Sequence, residues 1–124
     1  MKGRKGQRGA AAVEFALVLP VLLVLLLGII EYGYQFFLYG SAAGAAREGA
    51  RAMAISTKSA DAVTKADLAF TNTTGKIGSI AVSPGGTCTA GNPVVVTVTY
   101  NYSGLTGFFG SKHVTGKGEM RCGG

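Results

Sequence analysis

One carboxylate, that of Glu14, stands inside a long apolar run near the start of the chain. Residues 10–30 hold no other charged side chain. A carboxylate in the hydrocarbon of a membrane costs a few kcal/mol unless it is paired or reaches water. A cut between Gly9 and Ala10 would create a partner, because the new α-amino cation of Ala10 lies four residues from Glu14. The spacing would therefore allow an ion pair if the chain were cut at that point.

Ion pairing between subunits would let Glu14 set the axial register of neighbouring helices. When such helices pack side by side, the Glu14 carboxylate of one subunit can reach the Ala10 ammonium of its neighbour. Phe15, which follows, is a candidate for the same assembly role. The alternative is that Glu14 lies at the level of the cytoplasmic headgroups and reaches water along its own side chain.

Other residues that could do chemistry are few. Cys88 and Cys122 with the single His113 make a poor zinc site, because structural zinc takes four ligands. If the C-terminal part lies outside the cytoplasm, a disulfide is favoured over two free thiols. Closing that loop would contribute about 3–4 kcal/mol. We find neither a nucleophile elbow nor a phosphate-binding loop, so the sequence predicts no enzyme, no metal site and no cofactor.

The basic charge is concentrated at the N-terminus. The net charge is +6, from 12 basic and six acidic residues. Four of the basic residues lie in the first nine positions, which leaves eight basic against six acidic in the rest of the chain. A nucleic-acid-binding domain would instead carry a basic stripe on its folded surface. Nucleic acid is therefore not an expected partner.

Residues 10–30 predict a membrane span. At 1.5 Å per residue this run forms about 31 Å of helix, close to the ~30 Å hydrocarbon thickness of a bilayer. The basic residues on its N-terminal side place that end in the cytoplasm and the C-terminal part outside. The resulting interpretation is a single-pass protein of the inner (cytoplasmic) membrane.

A secretory signal peptide is the alternative for the same segment. It requires a small-residue cleavage site just after an apolar core. The nearest such pattern is Ala43-Gly44-Ala45, well beyond the run. Cleavage there would remove the apolar helix and release a soluble protein.

The helix is expected to continue to residue 55. Residues 40–55 lack Pro and are rich in Ala, and Gly40, Gly44 and Gly49 mark small residues on which another backbone can pack closely. A flexible linker is the alternative. Glu31, at the outer end of the span, is expected to be interfacial and solvated, with contact to an Arg of a neighbouring subunit as the other hypothesis.

Residues 56–124 predict a small head of α+β class. Helical spacing within residues 56–72 gives one short helix. The period then changes to two and predicts about three antiparallel strands: a short one that includes Ile77, a central one at 94–102 and a last one at 112–122. With fewer than 70 residues, such a head needs the long helix, a disulfide or neighbours for stability.

Two local features of the head carry further predictions. Ser56 or Ser59 is expected to cap the short helix. The pair Phe108-Phe109, in the loop before the last strand, is expected to be tucked under the sheet. An apolar loop tip that docks on a partner is the alternative.

The start of the chain resembles a type IV prepilin signal, and more narrowly that of the tight-adherence (Tad) pilus system. The stretch RGAAAVEFALVLPVLLVLLLGIIEYG is similar to that of TadE-like minor pilins or pseudopilins. The shared features are the Gly–small–Glu–Phe start, a Pro inside the run and Glu-Tyr-Gly at its end. The Leu-heavy run and the Gly-rich C-terminal half depart from the pattern.

The resemblance implies a basic leader at 1–9, cut after Gly9 by a prepilin peptidase, then an assembly helix at 10–55 and an extracytoplasmic head at 56–124. It implies a structural subunit that is assembled into a Tad-type pilus, or primes one, for adherence and biofilm formation. The implied partners are the prepilin peptidase, the major Flp-type pilin, other minor pilins, the inner-membrane pilus platform and membrane lipid. The alternative is an uncleaved, membrane-anchored accessory protein whose head binds a partner.

Overall fold

The computed structural model describes residues 4–70 and 78–123. They form a long helix, a short helix and a three-stranded antiparallel sheet, which confirms the α+β class with a small head. The elements are α1 (Arg4–Ser56), α2 (Ser59–Ala69), β1 (Ser79–Ser83), β2 (Pro93–Tyr102) and β3 (Lys112–Arg121). The first three residues of the predicted leader, the expected break after the short helix and Ile77 lie outside the described residues.

Helix α1 is continuous over 53 residues, which corresponds to about 80 Å at 1.5 Å per residue. It passes through Pro20 without interruption. The side chains of residues 6–26 are all exposed, whereas from Glu31 onward buried side chains recur at helical spacing. One helix thus has a bare apolar half and a half that belongs to the head.

The sheet has the strand order β1-β2-β3, so β2 is central. Its alternating sequence turns every second side chain toward α1 and the core, because successive side chains of a strand point to opposite faces. The buried members are Val94, Val96, Val98, Tyr100 and Tyr102. They pack on the small and apolar buried residues of α1, which are Leu38, Ala42, Ala45, Ala46, Ala50 and Met53.

Strand β3 approaches the backbone of α1 closely through two glycines. A Cβ on Gly116 would collide with the backbone of Ala42, and one on Gly118 would collide with the backbone of Ala46. The small residues that the sequence places on this part of α1 therefore do admit another backbone. That backbone belongs to the same chain.

Helix α2 lies beside α1 and buries Ala62 and Ala66. The prediction of a serine cap was wrong: the N-cap residue is Lys58, which makes no side-chain cap bond. The hydroxyl oxygen of Ser59 instead accepts a hydrogen bond from the Gly86 amide at 3.0 Å. Ser59 thus holds the β1–β2 connection rather than the helix end.

The end of the head farthest from the bare half of α1 is closed by a disulfide. Cys88, between β1 and β2, is bonded to Cys122, just after β3, with their Cα atoms 6.0 Å apart. The Cys88 amide donates to the Thr57 carbonyl at 3.0 Å, and the Gly123 amide donates to the Ala54 carbonyl at 2.9 Å. These bonds fasten the end of α1 to the β1–β2 connection and to the segment after β3.

Candidate assembly and membrane-anchoring surface

The bare half of α1 is apolar and unburied. α1 is the one helix within the described residues that is long and apolar enough to cross a membrane, and its most apolar window has a mean hydropathy of 2.9 with no residue buried. Large apolar side chains project all round it, as shown by Phe15 and Leu17, which are 64% and 71% exposed. This surface fits a single-pass membrane anchor.

The residues predicted for processing and register all lie on this half. Gly9 and Ala10 are exposed within the first turns of α1, and no atom outside the helix comes within 4 Å of a Cβ built at Gly9. Glu14 is one helical turn beyond Ala10, about 6 Å along the axis, and it is exposed. Cleavage would convert the backbone amide of Ala10 into an ammonium. The Glu14 carboxylate therefore lies one turn from that nitrogen, on the same exposed half of α1. Cleavage, and pairing between subunits, stay predictions.

The three glycines predicted for helix packing separate into two environments. Gly40 and Gly44 are exposed, and a Cβ at either would meet nothing within 4 Å. Gly49 is buried, and a Cβ there would lie 2.9 Å from the Ala62 carbonyl oxygen on α2. Gly49 thus provides close packing inside the subunit, and only Gly40 and Gly44 keep a surface that a second subunit could use.

The predicted environment of Glu31 was wrong. It is 1% exposed rather than solvated. Its Oε2 accepts hydrogen bonds from the amides of Leu105 and Thr106 and from the Thr106 hydroxyl, each at 3.1 Å. The β2–β3 loop, residues 103–111, folds over the carboxylate and supplies donors that replace water.

Gly104 makes this arrangement possible. Its φ is +82°, a conformation that side-chain-bearing residues rarely adopt. A Cβ there would also collide with Glu31 Oε1. The sequence predicted a loop before the last strand, but nothing in it pointed to a carboxylate 73 residues earlier.

Tyr102 lies next to this buried carboxylate. Burial raises the pKa of Tyr102, and the negative charge of Glu31 and the neighbouring Tyr34 raise it further. The Tyr102 ring meets that of Tyr34 edge to face, with centroids 5.8 Å apart. Its buried hydroxyl has no hydrogen-bond partner among the described residues. The phenol is therefore held in its neutral form.

The aromatic pair of the β2–β3 loop is exposed. Phe108 is 83% and Phe109 45% exposed, so the prediction that they tuck under the sheet was wrong. The loop is held against α1 by the hydrogen bonds of Leu105 and Thr106 to Glu31. The ammonium of Lys112 lies 5.2 Å from the ring centroid of Tyr32 on α1 and 5.7 Å from that of Phe109, which links loop and helix.

Across residues 4–70 and 78–123, no group of three or more His, Cys, Asp or Glu residues is placed to hold a metal ion. Of the acidic residues of α1, Glu14 is exposed on the bare half and Glu31 is buried inside the head.

Comparison with protein families matches residues 9–51 to the TadE family, described as TadE-like protein. The match spans the bare half of α1 and most of the half that packs in the head. It confirms the resemblance to TadE-like proteins of the Tad pilus system. Comparisons with curated proteins and with solved structures give no match.

Proposed function

Because the chain is TadE-like over residues 9–51, we propose that it is a minor pilin or pseudopilin of a Tad-type pilus. It is a structural subunit that a prepilin peptidase cuts between Gly9 and Ala10 and that enters the pilus or primes its assembly, in the service of adherence and biofilm formation. The observation that carries this proposal is the division of α1 into a bare apolar half and a half inside the head. Lipid covers the bare half before assembly, and neighbouring helices cover it afterwards.

The proposed topology places the N-terminus in the cytoplasm and the head outside the inner membrane. The basic leader favours this orientation. The Cys88–Cys122 disulfide supports it, because disulfides persist in oxidising compartments outside the cytoplasm. The head then faces the compartment in which a pilus is built.

The proposed partners are the prepilin peptidase, the major Flp-type pilin, other minor pilins and the inner-membrane platform. Contact with the pilins runs through Glu14, whose carboxylate pairs with the Ala10 ammonium of a neighbour. Desolvation of both charges between packed helices makes this pairing depend on register, because an unpaired carboxylate in an apolar environment is costly.

Release of a soluble protein by cleavage near Ala43-Gly44-Ala45 is disfavoured by the packing. Such a cut would remove Glu31, which holds the β2–β3 loop, and Leu38, which is fully buried in the core. The head depends on the part of α1 that this cut would discard.

The decisive experiment is the intact mass and N-terminal sequence of the protein from its own cells, with and without the prepilin peptidase. We expect a chain that starts at Ala10 only when the peptidase is present. Gly9→Ala should block this processing, whereas Gly6→Ala, a matched change three residues earlier at a similarly open position, should not. A chain that keeps its first nine residues in all strains would contradict the proposal and indicate an uncleaved accessory protein.

The register role of Glu14 has its own test. Glu14→Ala should insert into the membrane and be cleaved normally but should co-purify poorly with the major pilin. Glu48→Ala, which removes an exposed carboxylate from the other half of the same helix, should leave co-purification intact. Normal incorporation of Glu14→Ala would remove the role assigned here to Glu14.

A further inference from the structure

The β2–β3 loop lies at the level where α1 leaves the membrane. Glu31 is the first residue after the 10–30 span, and it is the residue to which the loop is fastened. The hydrogen bonds to Leu105 and Thr106 fix the height of the loop along the helix axis. The tip of the loop, Phe108 and Phe109, is thus held close to the outer boundary of the hydrocarbon.

The exposed side chains at this level form one amphipathic patch. We define the juxtamembrane patch as Tyr32, Leu105, Phe108, Phe109 and Lys112. Leu105 is 54%, Phe108 83% and Tyr32 69% exposed. The Lys112 ammonium lies over the Tyr32 and Phe109 rings and joins the α1 and loop parts of the patch. Aromatic rings with a neighbouring cation are the composition of membrane-interface anchors.

We propose that the juxtamembrane patch is a second lipid contact, through which the head lies on the outer leaflet of the membrane with Phe108 and Phe109 among the headgroups and upper acyl chains. The occupant is lipid because the patch is continuous with the span. Tyr32 lies on the same helix as the span, two residues after the last residue of the span, Ile30. Lys112 supplies the charge that complements a lipid phosphate. The inference rests on the membrane span alone and not on cleavage or pilus assembly.

The absence of tryptophan from the chain allows a direct measurement of depth. The full-length protein is reconstituted in vesicles of phosphatidylethanolamine and phosphatidylglycerol, with part of the lipid brominated on its acyl chains. Three single-tryptophan variants are compared: Phe108→Trp in the patch, Leu23→Trp in the span, and Ile55→Trp at the far end of the head. Ile55 is the matched control because it is 73% exposed and lies about 36 Å along α1 from Glu31.

We expect the Phe108→Trp emission to shift to shorter wavelength and to be quenched by the brominated lipid, less than Leu23→Trp but well above Ile55→Trp. Changing Lys112→Glu in the Phe108→Trp protein should reduce this quenching, because the acid would be repelled by the lipid phosphates. Circular dichroism and the intact mass of the disulfide form check that each variant is folded.

Three results would overturn the inference in distinguishable ways. If Leu23→Trp is quenched and Phe108→Trp behaves like Ile55→Trp, the loop does not touch lipid. If Phe108→Trp emission is shifted but not quenched, protein covers the patch, as in contact between two copies. If Leu23→Trp is not quenched, α1 does not span the vesicle membrane, and the membrane anchor fails together with the patch.

Discussion

Replacing Glu31 by glutamine should loosen the β2–β3 loop without unfolding the head. The carboxylate accepts from three donors through Oε2, while Oε1 lies 3.2 Å from the Leu105 amide. In Glu31→Gln the amide oxygen can occupy the Oε2 position, but the bonds to it lose their charge, and the new NH₂ faces the Leu105 N–H. Hydrogen bonds to charged groups contribute about 1.5–3 kcal/mol and neutral ones about 0.5–1.5 kcal/mol. The expected loss in loop closure is about 1–2 kcal/mol, or about 5–30-fold in the open population.

Amide hydrogen exchange in detergent micelles measures this opening. The Leu105 and Thr106 amides should exchange about 5–30-fold faster in Glu31→Gln if local opening limits exchange. The Val96 amide, in the central strand, should not change. Glu48→Gln, at an exposed acid on the same helix, controls for the loss of a negative charge.

Two results would refute the reasoning. Unchanged exchange at Leu105 and Thr106 would mean that the carboxylate does not hold the loop. Equal acceleration at Val96 would mean that the whole head is destabilised, so that Glu31 acts through global stability and not as a local tether.

Three further predictions concern stability, each measured by urea unfolding in micelles. Gly116→Ala should lower the free energy of unfolding by about 1–3 kcal/mol because the new methyl would collide with the backbone of α1. The control Gly44→Ala, in open space, should raise the free energy of unfolding by about 0.5–1 kcal/mol. Equal effects of the two changes would contradict the close approach of β3 to α1. Replacing Cys88 and Cys122 by Ser should cost about 4 kcal/mol for a loop of separation 34, and reductant should have no effect on the variant. The pKa of Tyr102 is raised above 10.0 in the folded protein, so the folded state binds the phenol proton more tightly than the unfolded chain does. The free energy of unfolding should therefore be retained below pH 10.0 and fall above it. Tyr102→Phe should lose less stability over that alkaline range, and an unchanged alkaline loss would assign the effect to other groups.

The features that were predictable from sequence are those in which one local pattern decides the structure. The alternation of apolar and polar residues at 94–102 predicted a strand, and β2 occupies Pro93–Tyr102. The Pro-free, Ala-rich segment after the span predicted that the helix continues to residue 55, and α1 ends at Ser56. In both cases the residues that specify the element are neighbours along the chain.

The wrong predictions for Glu31 and for the pair Phe108-Phe109 concern contacts between distant parts of the chain. Glu31 was assigned to water because it lies at the outer end of the predicted span, but its hydrogen-bond donors lie 74 and 75 residues later. Phe108 belongs to the loop that makes this contact. The different environments of Gly44 and Gly49 follow from helical geometry alone: five residues at 100° each place the two about 140° apart around the axis. That rotation takes Gly49 into the head while Gly44 stays outside.

In the proposed topology, the contact between Glu31 and the β2–β3 loop also sets the order in which the head forms. Residues 31–54 of α1 would reach the outer side of the membrane first, and their core-facing side would stay uncovered until β2 and β3 arrive. Because Gly116 of β3 rests on Ala42, the head would close only after β3 has been translated and translocated. We therefore expect a subunit interrupted before β3 to keep an open head and an unsatisfied Glu31. A closed head would then show that the chain has been translocated through β3.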